Sequence, residues 1–90
     1  MTKAERRNRA IAQAINSLEC AHIDRSATKL GTPLWHRATA QMYEATAALV
    51  ELGIPMTLGS FFASGEAQQG LMADAAANRS IAAAIEARAA

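Results

Sequence analysis

The chain has 90 residues and a formal net charge of +1, and 23 of its residues are alanine, so its hydrophobic content of 51% overstates the apolar area available for a core. The balanced charge argues against a general polyanion binder. The single cysteine, Cys20, excludes an internal disulfide and fits a reducing cytoplasm. No apolar run approaches the roughly 18 residues of a membrane span. We expect one cytoplasmic domain, residues 1–90, without membrane insertion. Because about 90 residues bury only about 60–65% of their unfolded surface, self-association or a partner should add stability.

The first segment predicts a helix from about residue 3 to residue 30. Thr2 and Glu5 have the spacing of a capping box, in which a hydroxyl and a carboxylate each bond an amide at the helix start. The helical period places an apolar stripe on one side, formed by Ile11, Ala14, Ile15 and Leu18 and continued by Ala4, His22 and Arg25. Residues 24–28 are a possible bend, and Gly31 ends the helix.

The central segment predicts a helix over residues 33–52. Thr32 is a capping residue, Pro33 suits the first helical position, and Gly53 provides a left-handed stop. One face of this helix is apolar, and it comprises Trp35, Ala38, Met42, Ala45, Leu49 and Leu52. Further residues suited to burial lie beside that face, so two neighbouring helices are expected. The three-residue link at 31–33 makes the first two helices an antiparallel hairpin.

The remainder of the chain predicts a short helical turn near residues 57–63 and a C-terminal helix over about 65–88. Phe61 and Phe62 in the turn would close the open end of the hairpin. The C-terminal helix presents an inward apolar stripe, although Asp74 and Asn78 interrupt it and need polar partners if they are buried. The stripe comprises Ala67, Leu71, Ala75, Ile81, Ala82, Ile85 and Ala89. The fold class is therefore all-α, a small three- to four-helix bundle completed by oligomerisation.

The opposite side of the C-terminal helix is uncharged over an arc of roughly 120°. Its residues are small enough to let another helix approach closely, which makes it a candidate packing interface for self-association or for a protein partner. The interface would include Ala73, Ala76, Ala77, Ser80, Ala83 and Ala84. The alternative is that these alanines only favour the helix, because alanine is the best helix former and tolerates solvent.

The N-terminal helix begins with the only charge cluster of the sequence, formed by Lys3, Arg6, Arg7 and Arg9. Cations at a helix start oppose the macrodipole, so contact with an anion is one interpretation, either nucleic-acid phosphate or an acidic protein surface. The other interpretation is a solvated N-terminus. No aromatic residues alternate with these cations, so a stacking platform for single strands is not expected.

The sequence contains no recognisable catalytic, metal or cofactor site. Cys20, His22 and Asp24 are ligand types, but a spacing of two points them to different sides of a helix. His22 is expected at the rim of the core with a hydrogen bond, and His36 nearer solvent. Trp35 and Tyr43 are candidates for a pocket between helices, although aromatic residues at such positions are more often part of a core.

These observations favour a non-catalytic, small intracellular protein that binds or inhibits a larger macromolecule, of the kind found among bacterial and phage accessory factors. It would need no cofactor, and a homodimer is its simplest assembly. One alternative is a nucleic-acid-associated regulator whose dimer presents the basic N-terminal helices to phosphates. Another is an oligomer that sequesters a small ligand near Trp35 and Tyr43.

Overall fold

The structure is a computed structural model that describes the backbone of residues 1–54, 57–58, 61–62 and 65–89 and the side chains of residues 1–54 and 68–89. Three helices dominate it: α1 (Lys3–Ala27), α2 (Pro33–Glu51) and α3 (Gly65–Ala89). They pack against one another, which confirms the all-α class. Among the described residues, no helix has the length and apolar character needed to cross a membrane.

Helix α1 begins as predicted but ends three residues early. The Thr2 hydroxyl accepts a hydrogen bond from the Glu5 amide at 3.1 Å. At the other end Thr28 adopts an extended conformation, and its amide and hydroxyl both donate to the carbonyl of Arg25. A threonine that bonds a nearby carbonyl competes with helix continuation, which is why α1 does not reach residue 30.

Helix α2 has the predicted ends. The Thr32 hydroxyl accepts from the Trp35 amide, Pro33 opens the helix, and Gly53 has a φ of +82°. In that left-handed conformation its amide bonds the carbonyl of Val50, and the amide of Ile54 bonds the carbonyl of Leu49.

The stretch between α2 and α3 differs from the predicted helical turn. The described part forms two short antiparallel strands, β1 (Thr57–Leu58) and β2 (Phe61–Phe62), with Thr57 opposite Phe62 and Leu58 opposite Phe61. Threonine and phenylalanine favour strands, and a Gly-Ser pair between two such runs is a hairpin signal. The expectation that the phenylalanine side chains close the hairpin lies outside the described residues.

Helix α2 lies between the other two helices. α1 and α3 each pack along α2, and in the described part of the chain they make almost no contact with each other. Both run antiparallel to it: Arg7 at the start of α1 reaches Leu52 at the end of α2, and Gln68 near the start of α3 reaches the carbonyl of Ala47. The two predicted neighbours of α2 are therefore present, as an open arrangement of three helices.

The core of the described residues consists mostly of alanine. Its buried apolar residues are Ala14, Ala21, Ala38, Ala40, Ala45, Ala47, Leu49, Leu71, Ala75 and Ala82. The predicted apolar stripe of α1 is only partly right, because Ala14 is buried while Ile15 stays 42% exposed and His22 is exposed. Small side chains let α1 approach α2 closely, and this contact excludes the larger isoleucine from the interface.

Candidate functional site

The turn of the α1–α2 hairpin exposes two large apolar side chains. Leu30 is 74% exposed and Leu34 is 65% exposed. The turn is held by Gly31, which has a φ of +86°, and by Thr32, whose hydroxyl donates to the carbonyl of Lys29 at 2.8 Å. We call Leu30 and Leu34 the hairpin tip.

A groove of about 450 Å³ begins beside the hairpin tip. It runs between the end of α1 and the start of α2, and α3 contributes one residue to its wall. Its lining consists of Asp24, Ala27, Thr28, Leu34, Arg37, Ala38, Gln41 and Arg79. The apolar part of this lining is Ala27, Leu34 and Ala38. Its charged residues Asp24, Arg37 and Arg79 are exposed and form a charged rim.

Ion pairs between α2 and α3 fix the charged rim of this tip groove. Arg37 pairs with Glu86, and Arg79 pairs with Glu44. The hydrogen bond from Arg79 to the Glu44 carboxylate raises the pKa of the guanidinium above its usual value, and the opposite charge acts in the same direction, while burial opposes both. The Arg79 side chain is still 47% exposed, so the rim can bond polar groups of a partner.

A second groove, of about 720 Å³, continues along the α1–α2 contact. Gln41 lies between the two grooves, where its amide donates to the carbonyl and the hydroxyl of Ser17 at 3.1 and 3.2 Å. The lining residues are Ala10, Gln13, Ala14, Ser17, Glu44, Ala45, Ala48, Glu51 and Leu52. This groove is larger and more open than the tip groove and carries two carboxylates, Glu44 and Glu51, but the leucines of the hairpin tip do not line it.

Trp35 and Tyr43, the predicted pocket residues, line neither of these grooves. The guanidinium of Arg25 lies over the Trp35 ring, 4.6 Å from its centroid, and His36 meets the ring edge-on at 5.1 Å. Tyr43 is half-buried two turns further along α2. Trp35 therefore helps to attach α1 to α2, since a cation on an indole face is an attractive contact.

The prediction that His22 makes a hydrogen bond at the rim of the core is wrong, and His36 makes such a bond instead. His22 is exposed, whereas the half-buried His36 lies 2.8 Å through Nδ1 from the side-chain oxygen of Asn78. Asn78 in turn donates to the carbonyl of Asp74 at 2.9 Å. The polar interruption predicted in α3 thus has its partner on α2, while Asp74 itself is exposed.

One member of the predicted basic cluster, Arg7, has a partner within the chain. At 100° per residue, Lys3, Arg6, Arg7 and Arg9 are spread over about 160° of the helix circumference. Arg7 donates through Nη2 to the carbonyl of Leu52 at 2.7 Å, so its charge lies at the carboxyl end of α2, where the helix dipole favours a cation. Its guanidinium holds the two helices together and contributes little to an anion-binding surface.

The predicted packing interface lies on the side of α3 that faces away from α2. Ala73, Ala76, Ala77, Ser80, Ala83 and Ala84 are all exposed. Two larger apolar residues flank them, Met72 at 48% exposure and Ile81 at 44%. The prediction that Ile81 belongs to the inward stripe of α3 is wrong, because Ile81 lies about 100° around the helix from the buried Ala82. The surface is thus accessible over about three turns of α3.

Comparison with protein-family models, curated proteins and solved structures found no significant match. The functional inference therefore depends on the geometry of the chain itself. Within the described residues, no three His, Cys, Asp or Glu side chains come together as a metal-binding group. Sequence reasoning overlooked the hairpin tip, although one signal was available: Leu30 directly precedes the glycine of the turn and so cannot join a helix face.

Proposed function

We propose that this chain is a non-catalytic small intracellular protein that binds or inhibits a larger macromolecule, with the hairpin tip and the tip groove as its contact surface. The observation that supports this proposal is the exposure of Leu30 and Leu34 beside a groove that combines apolar side chains with a charged rim. Interaction surfaces commonly combine an apolar centre with a polar border.

The energetic argument concerns the apolar area that remains in water. Fully burying a leucine side chain contributes about 1.5–3 kcal/mol of free energy. Leu30 and Leu34 are mostly exposed in this structure, so each gains only a small part of that free energy on folding. A partner that covers both would gain on the order of 2–4 kcal/mol before the entropic cost of association. Two adjacent leucines can therefore be dominant contacts of the complex.

The rim provides specificity. Arg37 and Arg79 are each paired with a glutamate, so the rim presents positive and negative groups at fixed positions. A protein surface with complementary charges around an apolar side chain fits this pattern, since mismatched charges would be unpaired on binding. A nucleic-acid backbone, which is uniformly negative, matches it less well.

The proposal includes self-association. The outward side of α3 is uncharged, and its small side chains would let a second helix approach closely. A homodimer is the simplest assembly. Since this surface is on α3 and the tip is at the α1–α2 turn, a dimer would leave both hairpin tips accessible.

The test is capture of a partner from an extract of the source cells with the wild-type chain and two variants. Leu34→Ser should lose the partner, with a dissociation constant raised by about tenfold or more for each 1.4 kcal/mol removed. Ile23→Ser is the matched control, because Ile23 is equally exposed at 65% but lies on the side of α1 away from α2. Equal capture by wild type and Leu34→Ser would refute the tip as the contact surface.

The same experiment separates the nucleic-acid alternative. A complex held by phosphate contacts should weaken by orders of magnitude between about 50 and 200 mM salt, whereas a complex centred on leucines should persist. Retained nucleic acid that is released by salt and is unaffected by Leu34→Ser would overturn the proposal.

A further inference from the structure

One edge of α3 carries an exposed isoleucine midway between two opposite charges. Asp74, Ile81 and Arg88 are seven residues apart, and at 3.6 residues per turn they lie within about 40° of one another. All three are exposed, with Ile81 at 44%. The two charges are about 21 Å apart along the helix, each about 10 Å from Ile81. We call these three residues the α3 edge.

This edge lies away from α2. The buried residues of α3 that contact α2 include Leu71, Ala75 and Ala82, and Ile81 points about 100° away from Ala82. The described salt bridges of α3 use Arg79 and Glu86, which lie on the other edge of the helix. Asp74 and Arg88 are not members of those pairs.

Small residues alternate along the sequence with the three residues of the α3 edge. Gly70, Ala77 and Ala84 are also seven apart, and together with the edge they form the four-three spacing of a heptad seam. All three are exposed, and a Cβ added to Gly70 would meet nothing within 4 Å. The packing of the residues that the structure describes thus gives no reason for a glycine there, although a glycine inside a helix costs about 0.5–1 kcal/mol relative to alanine.

From these positions we infer that α3 pairs with α3 of a second copy of this chain, antiparallel and centred near Ile81. In that arrangement Asp74 of each copy comes within one helical turn of Arg88 of the other, and the two Ile81 side chains meet at the two-fold axis. A parallel pairing would instead place Asp74 against Asp74 and Arg88 against Arg88, and like charges repel. The order of the charges therefore selects both the direction and the register.

The order of Asp74, Ile81 and Arg88 along α3 also favours a second copy of this chain as the partner. A two-fold interface places one surface against itself, so its charges must be complementary after reversal about the centre. The series Asp74, Ile81, Arg88 has this property. The inference rests on the self-association proposed above, which already places the contact on α3, and adds its direction and register; it is independent of the hairpin tip.

Solution mass and charge exchange test the inference on the full chain. Light scattering of the wild type should give a dimer of 9.5 kDa chains. Ile81→Glu should weaken dimerisation about tenfold or more, because it places two like charges at the axis, whereas Met72→Glu, on the other edge of α3, should leave it unchanged. Asp74→Arg or Arg88→Asp alone should raise the dissociation constant, and the double exchange should restore it.

The outcomes separate the two proposals. A wild-type monomer at all concentrations would overturn self-association and this inference together. A dimer that resists Ile81→Glu, or one that the double exchange fails to restore, would overturn the inference and leave self-association in place. Far-UV circular dichroism on each variant checks that the helices are retained.

Cysteine cross-linking gives an independent measurement. In a Cys20→Ser background, Ile81→Cys should form a disulfide-linked dimer on mild oxidation, since residues at a two-fold axis can reach the Cα separation of about 4.4–6.8 Å that a disulfide needs. Met72→Cys in the same background is the matched control and should cross-link far more slowly. Equal rates at the two positions would contradict the proposed register.

Discussion

Replacing Leu49 should be the most damaging single truncation in the described part of the chain. Leu49 is 1% exposed and is the largest side chain there that is fully buried. It lies in the last turns of α2, and most of the other buried apolar residues are alanines. Alanine has no rotamer with which to fill a cavity, so Leu49→Ala should leave a void that the neighbours cannot close.

The magnitude follows from the atoms removed. Leucine to alanine deletes three carbons, which at about 0.8 kcal/mol per buried methylene is about 2.4 kcal/mol, and the cavity brings the cost to about 3 kcal/mol. A chain of this length has a stability of roughly 5–13 kcal/mol. Since 1 kcal/mol shifts the Tm of a small domain by about 4–8 °C, the expected loss is about 12–24 °C.

Leu34→Ala is the matched control, because it makes the same change on the same helix at a side chain that is 65% exposed. It should cost less than about 1 kcal/mol. Urea and thermal unfolding followed by circular dichroism, at one fixed protein concentration because association affects stability, give both values. Equal losses for the two variants, or a loss below about 1 kcal/mol for Leu49→Ala, would refute the assignment of the core.

Four further substitutions test local features. Arg7→Met should cost about 0.5–1.5 kcal/mol in urea unfolding, because it removes the charged hydrogen bond at the end of α2. Gly53→Ala should cost about 1–2 kcal/mol because its φ of +82° disfavours a side chain, whereas Gly70→Ala should stabilise the isolated chain by about 0.5–1 kcal/mol. Asn78→Ala should cost about 1 kcal/mol and should change the chemical shifts of His36, whose ring loses its partner.

Each of these changes has its own control. Arg6→Met alters the same charge at an exposed neighbouring position and should be nearly neutral; a loss equal to that of Arg7→Met would assign the effect to net charge. For the glycines, a destabilising Gly70→Ala would show that this position makes a close contact. Unchanged His36 resonances in Asn78→Ala would contradict the hydrogen bond.

The helices were predictable where the chemistry is local. The start and the end of a helix depend on a few adjacent residues. For α2 these are the capping hydroxyl of Thr32, the proline at position 33 in the first turn and the glycine at position 53 after the last turn. The end of α1 was harder to predict, because Thr28 can either continue the helix or end it by bonding the carbonyl of Arg25. The strands at residues 57–58 and 61–62 carry a signal as well, but four residues are too few for a periodicity argument.

The surfaces were less predictable because they depend on how helices approach. Periodicity ranks Ile15 as core, yet close contact through Ala14 and Ala21 places it at the margin. The basic cluster looks like one unit in sequence, and only the position of Leu52 reveals that Arg7 has a partner within the chain. The uncharged outward side of α3 could be predicted, because the positions of charged residues around one helix follow from the sequence and the helical period alone.

The central position of α2 also has a consequence for the dynamics of the chain. Since α1 and α3 each rest on α2 and hardly touch each other, either outer helix can detach while the other remains docked. Amide hydrogen exchange should then report two separate opening reactions, one for the amides of α1 and one for those of α3, with the slowest exchange in the middle of α2. A protein built in this way can release one helix to a partner without unfolding as a whole.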